Sequence, residues 1–362
     1  MAAPEASPSP TCGAMSSEEE HRYARFARQV RQAVEAHLAA NLERKCAEAD
    51  RHGAEPRAMV DAYRALAVRG GKRVRAVLVC AAHEAFGGDY RAALPAAVGV
   101  ELLQTYLLIH DDWMDGDEVR RGGPSVHAML RERYGSTRLG DATAILAGDY
   151  GAALALEALA ETALPAARVL AAVKELARIQ GDVVVGQLLD VLGTARGAAE
   201  VEVMHALKTG SYTIAGPLRL GAILAGASQS ALEALDRVAH PLGVAFQLQD
   251  DLLGTFGDPA RTGKPRGGDL REGKRTALVA EIEDDRSARP LLDRVLGVAD
   301  APDEEVAALI GKLVSSGARA RVEARATALL AEARAALEAL PVPEEGRALL
   351  RGAVEALAGR EH

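Results

Sequence analysis

The apolar residues of this chain recur every three or four positions over most of its length, which is the spacing of one face of an α-helix. Such segments follow one another from about residue 18, and glycine or proline separates them, for example at Gly70, Gly87 and Pro165. No alternating stretch is long enough to indicate a strand. The pattern predicts an all-α protein that forms a single large helical bundle.

Composition agrees with this fold class and limits the possible functions. Of 362 residues, 49% are hydrophobic but only 3% are aromatic, which suits packed helices better than sheets. The net charge of −8 argues against a nucleic-acid partner. Three widely separated cysteines, Cys12, Cys46 and Cys80, indicate neither a disulfide framework nor a zinc site.

The ends and the most apolar stretches of the chain predict its location. The first twenty residues lack a basic segment followed by an apolar one, so we expect a disordered tail at 1–20 rather than a secretory signal, and one domain over 21–362. The apolar stretches near 93–110 and 139–173 are interrupted by charged residues, so neither is expected to span a membrane. A cytoplasmic protein is the expectation.

The segment LLIHDDWMDGDEVRRGG, residues 107–123, places many charges at the end of an apolar helix. Asp111 and Asp115 are four residues apart, so their side chains point only about 40° apart and both can reach one metal ion or a pair of ions. Oxygen ligands without histidine or cysteine favour Mg²⁺. Further residues share this helix face: Leu103, Tyr106, Leu107, His110 and Met114.

This segment has two alternative interpretations. A solvated acidic helix end, balanced by Arg120 and Arg121, would need no metal. A calcium-binding EF-hand loop fails, because Trp113 and Gly122 stand where that loop needs an oxygen ligand and a bidentate glutamate. The apolar face beneath the acids favours a site that opens toward a cavity.

A second acidic pair and two basic segments complete the pattern. Asp250 and Asp251, in GVAFQLQDDLLGTFGD, lie on another apolar helix face. RGGKRVR begins a helix after two glycines, where anions are favoured, although an ordinary helix cap is an alternative. TGKPRGGDLREGK adds lysines, but it is not a nucleotide-binding P-loop, because Arg275 occupies the Ser/Thr position. The candidate anion-binding side chains of these two segments are Lys72, Arg73, Arg75, Lys264 and Lys274.

Acid pairs, basic segments and apolar helices together suit a substrate with a diphosphate head and a hydrocarbon tail. From about residue 25 to the end, the chain resembles the trans-isoprenyl diphosphate synthases of the polyprenyl synthetase family, with GGKRVR, DDWMDGDEVRRG, KTG, FQLQDD and TGKPRGGDLREGK in the family's order. The resemblance implies a helical bundle around a central cavity. It also implies a Mg²⁺-dependent, head-to-tail condensation of isopentenyl diphosphate with an allylic diphosphate.

The resemblance also assigns roles to individual residues. The ligands of three Mg²⁺ ions would be Asp111, Asp112, Asp115, Asp250 and Asp251. Isopentenyl diphosphate would be bound by Lys72, Arg75 and Arg121, with Gln104 where many relatives have a histidine. The allylic diphosphate would be bound by Arg120, Lys208 and Lys264, with Lys274 as a further substrate-binding residue. Lys208, Thr209 and Gln247 would be catalytic, the last two by stabilising the allylic cation.

Gln187 and Gly254 are less clearly assigned. Gln187 occupies a position near the family's cavity, or it forms only a polar helix contact with Asp190. Gly254 stands where the second acidic motif often has a third aspartate, so that ligand is either lost or supplied by Asp258. Asp250 and Asp251 remain, so activity is still expected.

Product length is predicted by the residues below the first acids. Tyr106 lies about 7.5 Å and Leu103 about 12 Å down the helix axis from Asp111, so a bulky ring there would stop a growing chain early. In the family an aromatic residue at this position accompanies short products. We therefore expect a farnesyl or geranylgeranyl product, with Leu103, Tyr106 and Leu107 limiting its length. Simple core packing of Tyr106 is the alternative.

Two competing functions are less consistent with the motifs. A terpene cyclase would not need GGKRVR to bind a second diphosphate. A non-catalytic regulatory subunit of a heteromeric prenyl synthase would lack one or both acidic motifs, whereas only the residue at 254 departs here. The resemblance implies a homodimer.

Overall fold

Helices make up about four fifths of the described chain, as the all-α prediction requires. The computed structural model describes residues 17–258 and 266–359. Of the predicted tail, residues 1–16 lie outside the described part, whereas residues 17–20 already belong to the first helix. Lys264 also lies outside it. Two of the cysteines, Cys46 and Cys80, are buried as free thiols.

The first half of the bundle contains the long helices that form the site. Its α-helices are α1 Ser17–Asp50, α2 Ala54–Ala67, α3 Val74–Ala85, α4 Leu94–Asp115, α5 Val126–Tyr134, α6 Thr137–Ala160, α7 Ala166–Leu192, α8 Gly197–His205, α9 Gly216–Ala225 and α10 Gln229–Phe256. A 3₁₀ turn, Tyr90–Ala93, precedes α4, and a π-helical segment, Ala206–Ala215, joins α8 to α9. Strands β1 Val119–Arg120 and β2 Gly123–Pro124 form a short antiparallel ribbon, in which Arg120 pairs with Gly123.

The second half of the bundle covers α10. Its helices are α11 Gly268–Arg271, α12 Ala277–Ala280, α13 Arg289–Val295, α14 Asp303–Ser315, α15 Ala318–Glu338 and α16 Glu344–Ala358. Helix α10 packs along α15, α3 packs along α9, and α4 packs along α6. Two large apolar clusters form the core, one around α10 and α15 and one around α4 and α6. The π-helical segment lies between α7 and α10, and it therefore brings KTG close to both acid-bearing regions.

Two helical stretches are long and apolar enough to cross a membrane by length and composition, namely Tyr90–Asp115 and Thr137–Ala160. In the first, 72% of the most apolar window is buried inside the bundle, and in the second 44% is buried. Core helices of globular proteins pass the same test. The exposed part of α6 is considered below with α7.

Candidate active site

The first acidic motif occupies the last turn of α4, which ends at Gly116 in the left-handed conformation. Carboxylates at a helix C-terminus oppose the helix dipole, so they need cations nearby. Arg120 of the ribbon supplies one: its guanidinium lies 2.5 Å from Asp112 Oδ1, 2.9 Å from Asp117 Oδ2 and 3.7 Å from Asp111 Oδ2. Arg120, predicted to bind the allylic diphosphate, therefore neutralises the motif in the absence of substrate.

Two carboxyl groups of the motif have raised pKa values. Asp112 is fully buried, and its Oδ2 atom has no hydrogen-bond partner. Burial raises the pKa of Asp112 to about 6, and the charge of Asp111 adds to the rise, while Arg120 opposes it. Partial burial in the cleft, followed by the charge of Asp111, raises the pKa of Asp115 to about 6, although this side chain remains open to solvent.

Lys208 connects the first acidic motif to α7. Its Nζ atom lies 2.5 Å from Asp190 Oδ2 and 3.4 Å from Asp111 Oδ1. Burial lowers the pKa of Lys208, but Asp111 and Asp190 more than offset this effect, so the net pKa is raised. Gln187 donates from Nε2 to Asp111 Oδ1 at 3.2 Å, so it contacts the acidic motif rather than only Asp190.

A glycine of α7 allows the backbone at Lys208 to come close. A Cβ atom at Gly186 would lie 2.3 Å from the Lys208 backbone nitrogen, a distance that real Cβ atoms do not show. Lys208 and the half-buried Thr209 both lie in the π-helical segment, a wide-turn conformation that is frequent at functional sites. The contact between Gly186 and this segment therefore fixes the position of the Lys208 backbone, from which the side chain extends.

The second acidic motif is divided between the cleft and the interior. Asp250 is exposed, whereas Asp251 is only 3% exposed and accepts hydrogen bonds from Gln247 Nε2 and from the Ala277 backbone N–H, both at 2.9 Å. Burial raises the pKa of Asp251. The Asp251 carboxylate thus joins α10 to α12, and Gln247 is directed at it.

Asp269 fills the space that Gly254 leaves open. A Cβ atom at Gly254 would lie 1.9 Å from Asp269 Oδ2, so the loop carboxylate sits where a side chain at 254 would begin. The three atoms nearest to that Cβ position all belong to Asp269, whereas the sequence suggested Asp258 as the source of the replacement acid. Lys274 Nζ lies 3.7 Å from Asp269 Oδ1 and 2.5 Å from Glu272 Oε2. The sequence signal for this carboxylate is the acid in GGDLREGK.

Other predicted binding residues surround the start of α3. Lys72 is exposed, Gln104 is half-buried on α4, and Arg75 donates from Nη2 to Thr213 Oγ1 at 2.6 Å. The Arg75 guanidinium also lies 4.3 Å from the centre of the Tyr212 ring. Arg121 donates from Nη1 to the Gly70 carbonyl at 3.0 Å. Burial, followed by the charge of Arg73, lowers the pKa of Arg121, which indicates closely spaced cations.

An apolar cavity of about 320 Å³ lies between α4 and α7, directly below Asp111 and Lys208. Tyr106 and Leu107 line it, as predicted, but Leu103 does not, because that side chain is 2% exposed and belongs to the core. The α7 contribution was missed, because α7 carries no acidic motif that would mark it. Further lining residues are Leu108, His110, Met114, Val184, Leu188, Val191 and Tyr212.

The donor atoms fit a hard divalent cation. They are carboxylate oxygens with no cysteine or histidine among the predicted ligands, and the buried Oδ2 atom of Asp112 lacks any partner. Within the described ranges, no three such side chains are gathered closely enough to hold an ion. The physical reason is that Arg120 and Lys208 already neutralise the first motif.

Comparisons with known proteins identify the family of this chain. Residues 56–313 match the profile of the family described as Polyprenyl synthetase. The chain is 34% identical over 287 residues to a geranylgeranyl diphosphate synthase of Methanosarcina mazei, an alignment of 79% of this chain and 85% of the relative. It is 38% identical over 265 residues to a (2E,6E)-farnesyl diphosphate synthase of Mycobacterium tuberculosis, an alignment of 70% of each chain.

The fold is similar to that of solved structures in the same group. A geranylgeranyl pyrophosphate synthase from Corynebacterium glutamicum, crystallised with isoprenyl diphosphate and magnesium, superposes with a TM-score of 0.84 at 32% identity, covering 93% of this chain and 99% of that one. These relatives are synthases, which favours a catalytic protein over a regulatory subunit. The chain belongs to the polyprenyl synthetase family of prenyltransferases.

Proposed function

We propose that this prenyltransferase is a Mg²⁺-dependent synthase that condenses isopentenyl diphosphate with an allylic diphosphate to a short-chain product. The observation that carries the proposal is the position of the cavity: its apolar walls lie directly below Asp111 and Lys208, where carboxylates and cationic side chains meet. A hydrocarbon tail fits the cavity, and a diphosphate fits its charged mouth.

The acidic motifs would bind the cation. When bound, Mg²⁺ would supply positive charge that stabilises the diphosphate leaving group, and the resemblance implies three such ions. The ligands in this role would be Asp111, Asp112, Asp115, Asp250 and Asp251, with Asp269 beside them. Asp251 would have to exchange its bonds to Gln247 and Ala277 for that contact.

Cationic side chains around the mouth would hold the allylic diphosphate. Lys208 and Arg120 each lie within 4 Å of Asp111, so both side chains are at the mouth of the cavity, where they would donate charge-assisted hydrogen bonds to the diphosphate. Lys274, beside Asp269, and Lys264 would complete this set. Fixed positive charges in a partly buried mouth stabilise the departing diphosphate more than water does.

The walls of the cavity would protect the allylic cation. Thr209 and Gln247 would offer oxygen atoms toward the developing positive charge, and the apolar side chains exclude water, so the cation meets the isopentenyl double bond instead. The isopentenyl diphosphate would be held at the start of α3 by Lys72, Arg75, Gln104 and Arg121. The released diphosphate is the acceptor that the resemblance implies for the final proton.

The cavity also supports a short product, of the farnesyl or geranylgeranyl class. The Tyr106 ring lines it and stacks edge-on against His110, with the ring centres 4.9 Å apart. A Cβ atom at Gly148 would lie 2.2 Å from His110 Nε2, so α6 supports the histidine from behind. Because the Tyr106 and His110 rings pack against each other and His110 packs against α6, they would limit the length of a growing hydrocarbon chain.

A homodimer, located in the cytoplasm, is part of the proposal. Large apolar side chains on α6 and α7 are at least half exposed, which is unusual for a face that stays in water. We call these residues the apolar face of α6 and α7: Leu146, Val184, Val185, Leu188, Val191 and Leu192. Three of them also line the cavity, so a second copy on this face would close its side.

The test compares two aspartate variants. Asp111→Asn removes a carboxylate that joins the cavity mouth to Lys208, whereas Asp293→Asn changes an exposed acid on α13 that pairs only within its helix. Incorporation of labelled isopentenyl diphosphate should fall at least about a hundredfold in Asp111→Asn and stay within about twofold in Asp293→Asn. Equal activities of the two variants would contradict the proposed site.

A further inference from the structure

Arg73 is the one basic residue of GGKRVR that has no role in the proposed function. Its neighbours Lys72 and Arg75 lie at the surface or half-buried, but the Arg73 side chain is only 3% exposed. Its backbone is left-handed, with φ of +49°. A buried, charged residue in a strained conformation requires specific partners.

Left-handed backbone marks this region of the molecule. Among the described residues other than glycine, positive φ angles occur at Arg73 and at Arg121, which has φ of +53°. Both flank the site proposed for isopentenyl diphosphate, and each costs free energy unless surrounding contacts hold it. Arg121 is held by its bond to the Gly70 carbonyl.

Glu101, on α4, is the partner that holds Arg73. Its Oε2 atom accepts from Arg73 Nη1 at 3.1 Å, and its Oε1 atom accepts from the Ala76 backbone N–H at 3.3 Å. The second guanidinium nitrogen of Arg73 donates to the Ala67 carbonyl at 3.0 Å. Glu101 is 2% exposed, so this is a buried ion pair between two helices.

The same carboxylate caps α3 from outside. The N-cap residue of α3 is Arg73, whose side chain makes no capping hydrogen bond. Glu101 satisfies the free N–H of Ala76 instead and places negative charge at the positive end of the helix. One residue therefore fixes both the arginine at the start of α3 and the direction of its first turn.

We call the Arg73–Glu101 ion pair, together with the hydrogen bond from the Ala76 N–H to Glu101, the clamp. The turn that it holds carries the predicted diphosphate-binding groups. Lys72 and Arg75 flank Arg73 in sequence, and Gln104 lies one turn beyond Glu101 on α4. Three arginines also converge here: burial, followed by the charges of Arg73 and Arg75, lowers the pKa of Arg121, and the charge of Glu101 opposes this effect. The Glu101 carboxylate thus offsets part of the repulsion among the arginines of this cationic site.

We propose that Glu101 is a positioning residue for isopentenyl diphosphate, which acts through Arg73 and the first turn of α3 rather than by touching the substrate. The inference rests on the proposed function, because it assumes that this site binds isopentenyl diphosphate. It predicts that loss of the clamp weakens the binding of isopentenyl diphosphate and leaves the binding of the allylic diphosphate unchanged.

The experiment uses Glu101→Gln and a matched control, Glu175→Gln. Glu175 is also a buried carboxylate paired with arginines, Arg178 and Arg219, but it lies on α7, about 18 Å along the axis from Gln187. A double variant, Glu101→Gln with Arg73→Gln, removes both charges of the clamp together and so leaves no uncompensated buried charge if the single variant folds poorly.

Three measurements are made on the full chain. Hydrogen–deuterium exchange over residues 72–78 reports whether the clamp holds the first turn of α3. Calorimetry in the absence of Mg²⁺ gives the affinity of the protein for isopentenyl diphosphate. Steady-state kinetics give the KM of each substrate. For Glu101→Gln and the double variant we expect faster exchange and an isopentenyl diphosphate Kd and KM raised at least about tenfold. The allylic KM should stay within about twofold, as should both KM values of Glu175→Gln.

Two results would overturn the inference. The first is unchanged exchange over residues 72–78, which would show that Glu101 holds nothing in place. The second is faster exchange with both KM values unchanged or raised equally, which would leave Glu101 a purely structural role. If wild type neither binds nor condenses isopentenyl diphosphate, the proposed function fails instead, and the exchange data still decide whether the clamp exists.

Discussion

At the scale of single residues, Gly254 and Asp269 show how a carboxylate can come from a distant part of the chain. Gly254 lies four residues after Asp250, so the two positions share a face of α10. The Asp269 carboxylate occupies the space beside that face and neighbours Lys274. We therefore expect Asp269 to supply the additional acid that the second motif lacks at position 254.

Moving this carboxylate back to α10 is a direct test. Asp269→Asn should lower activity at least about tenfold. It should also weaken Mg²⁺ binding, measured by calorimetry in the presence of inorganic pyrophosphate, because the set of oxygen ligands loses one negative charge. The double variant Gly254→Asp with Asp269→Gly should recover most of both. Asp258→Asn is the control and should behave as wild type. Equal effects of Asp269→Asn and Asp258→Asn would show that Asp269 has no special part.

At the scale of elements, the π-helical segment and α7 together place Lys208. The segment packs against α7 at Gly186, where a Cβ atom would collide with the Lys208 backbone. From there the lysine reaches Asp190 and Asp111, on two different helices. Helix packing at one glycine therefore sets the geometry of a charged site.

Glycine-to-alanine changes on α7 separate this contact from helix propensity. Gly186→Ala should lower kcat at least about tenfold, because the segment must shift. Gly181→Ala, on the same helix with nothing within 4 Å of its Cβ position, should leave kcat unchanged and raise stability by up to about 1 kcal/mol. Kinetics and thermal unfolding of the two variants give the comparison. Similar kcat values would refute the role of Gly186.

The floor of the cavity can be tested in a similar way. Tyr106→Ala should lengthen the product, measured by mass spectrometry, because it removes a ring that lines the cavity. Leu103→Ala should cost about 2–5 kcal/mol of stability, as a core truncation, without changing product length. An unchanged product distribution in Tyr106→Ala would instead indicate simple core packing.

The helical pattern predicted the fold class and the acid-bearing faces, because apolar periodicity reports which side of a helix is buried. It could not place Leu103 in the core rather than in the cavity, since both surroundings are apolar. It also could not show that Arg73 turns inward and pairs with Glu101, because the two are 28 residues apart and no local pattern links them. The Asp269 contact depends on tertiary packing in the same way.

At the scale of the whole molecule, the apolar face of α6 and α7 continues from the cavity to the surface. Its exposed residues include Leu146 at 58% and Leu192 at 60%. Apolar area of this kind is stabilised when another surface covers it. In α6, 44% of the most apolar window is buried within one chain, so a partner that covers this face would bury more of it.

Negative charges introduced on the apolar face of α6 and α7 should dissociate the proposed homodimer. Leu146→Glu combined with Val185→Glu should convert a dimer to a monomer in sedimentation velocity, because two buried charges would oppose each other across the interface. Val314→Glu, at a position 51% exposed on α14, should leave the dimer intact. A monomeric wild type at micromolar concentration would contradict the homodimer.

The central claim is the condensation itself, and one measurement tests it most directly. Purified protein is incubated with isopentenyl diphosphate, Mg²⁺ and dimethylallyl, geranyl or farnesyl diphosphate in turn, and the products are identified by mass. The account predicts a fifteen- or twenty-carbon diphosphate that is absent when a chelator removes the metal. No condensation with any of the three primers would contradict it.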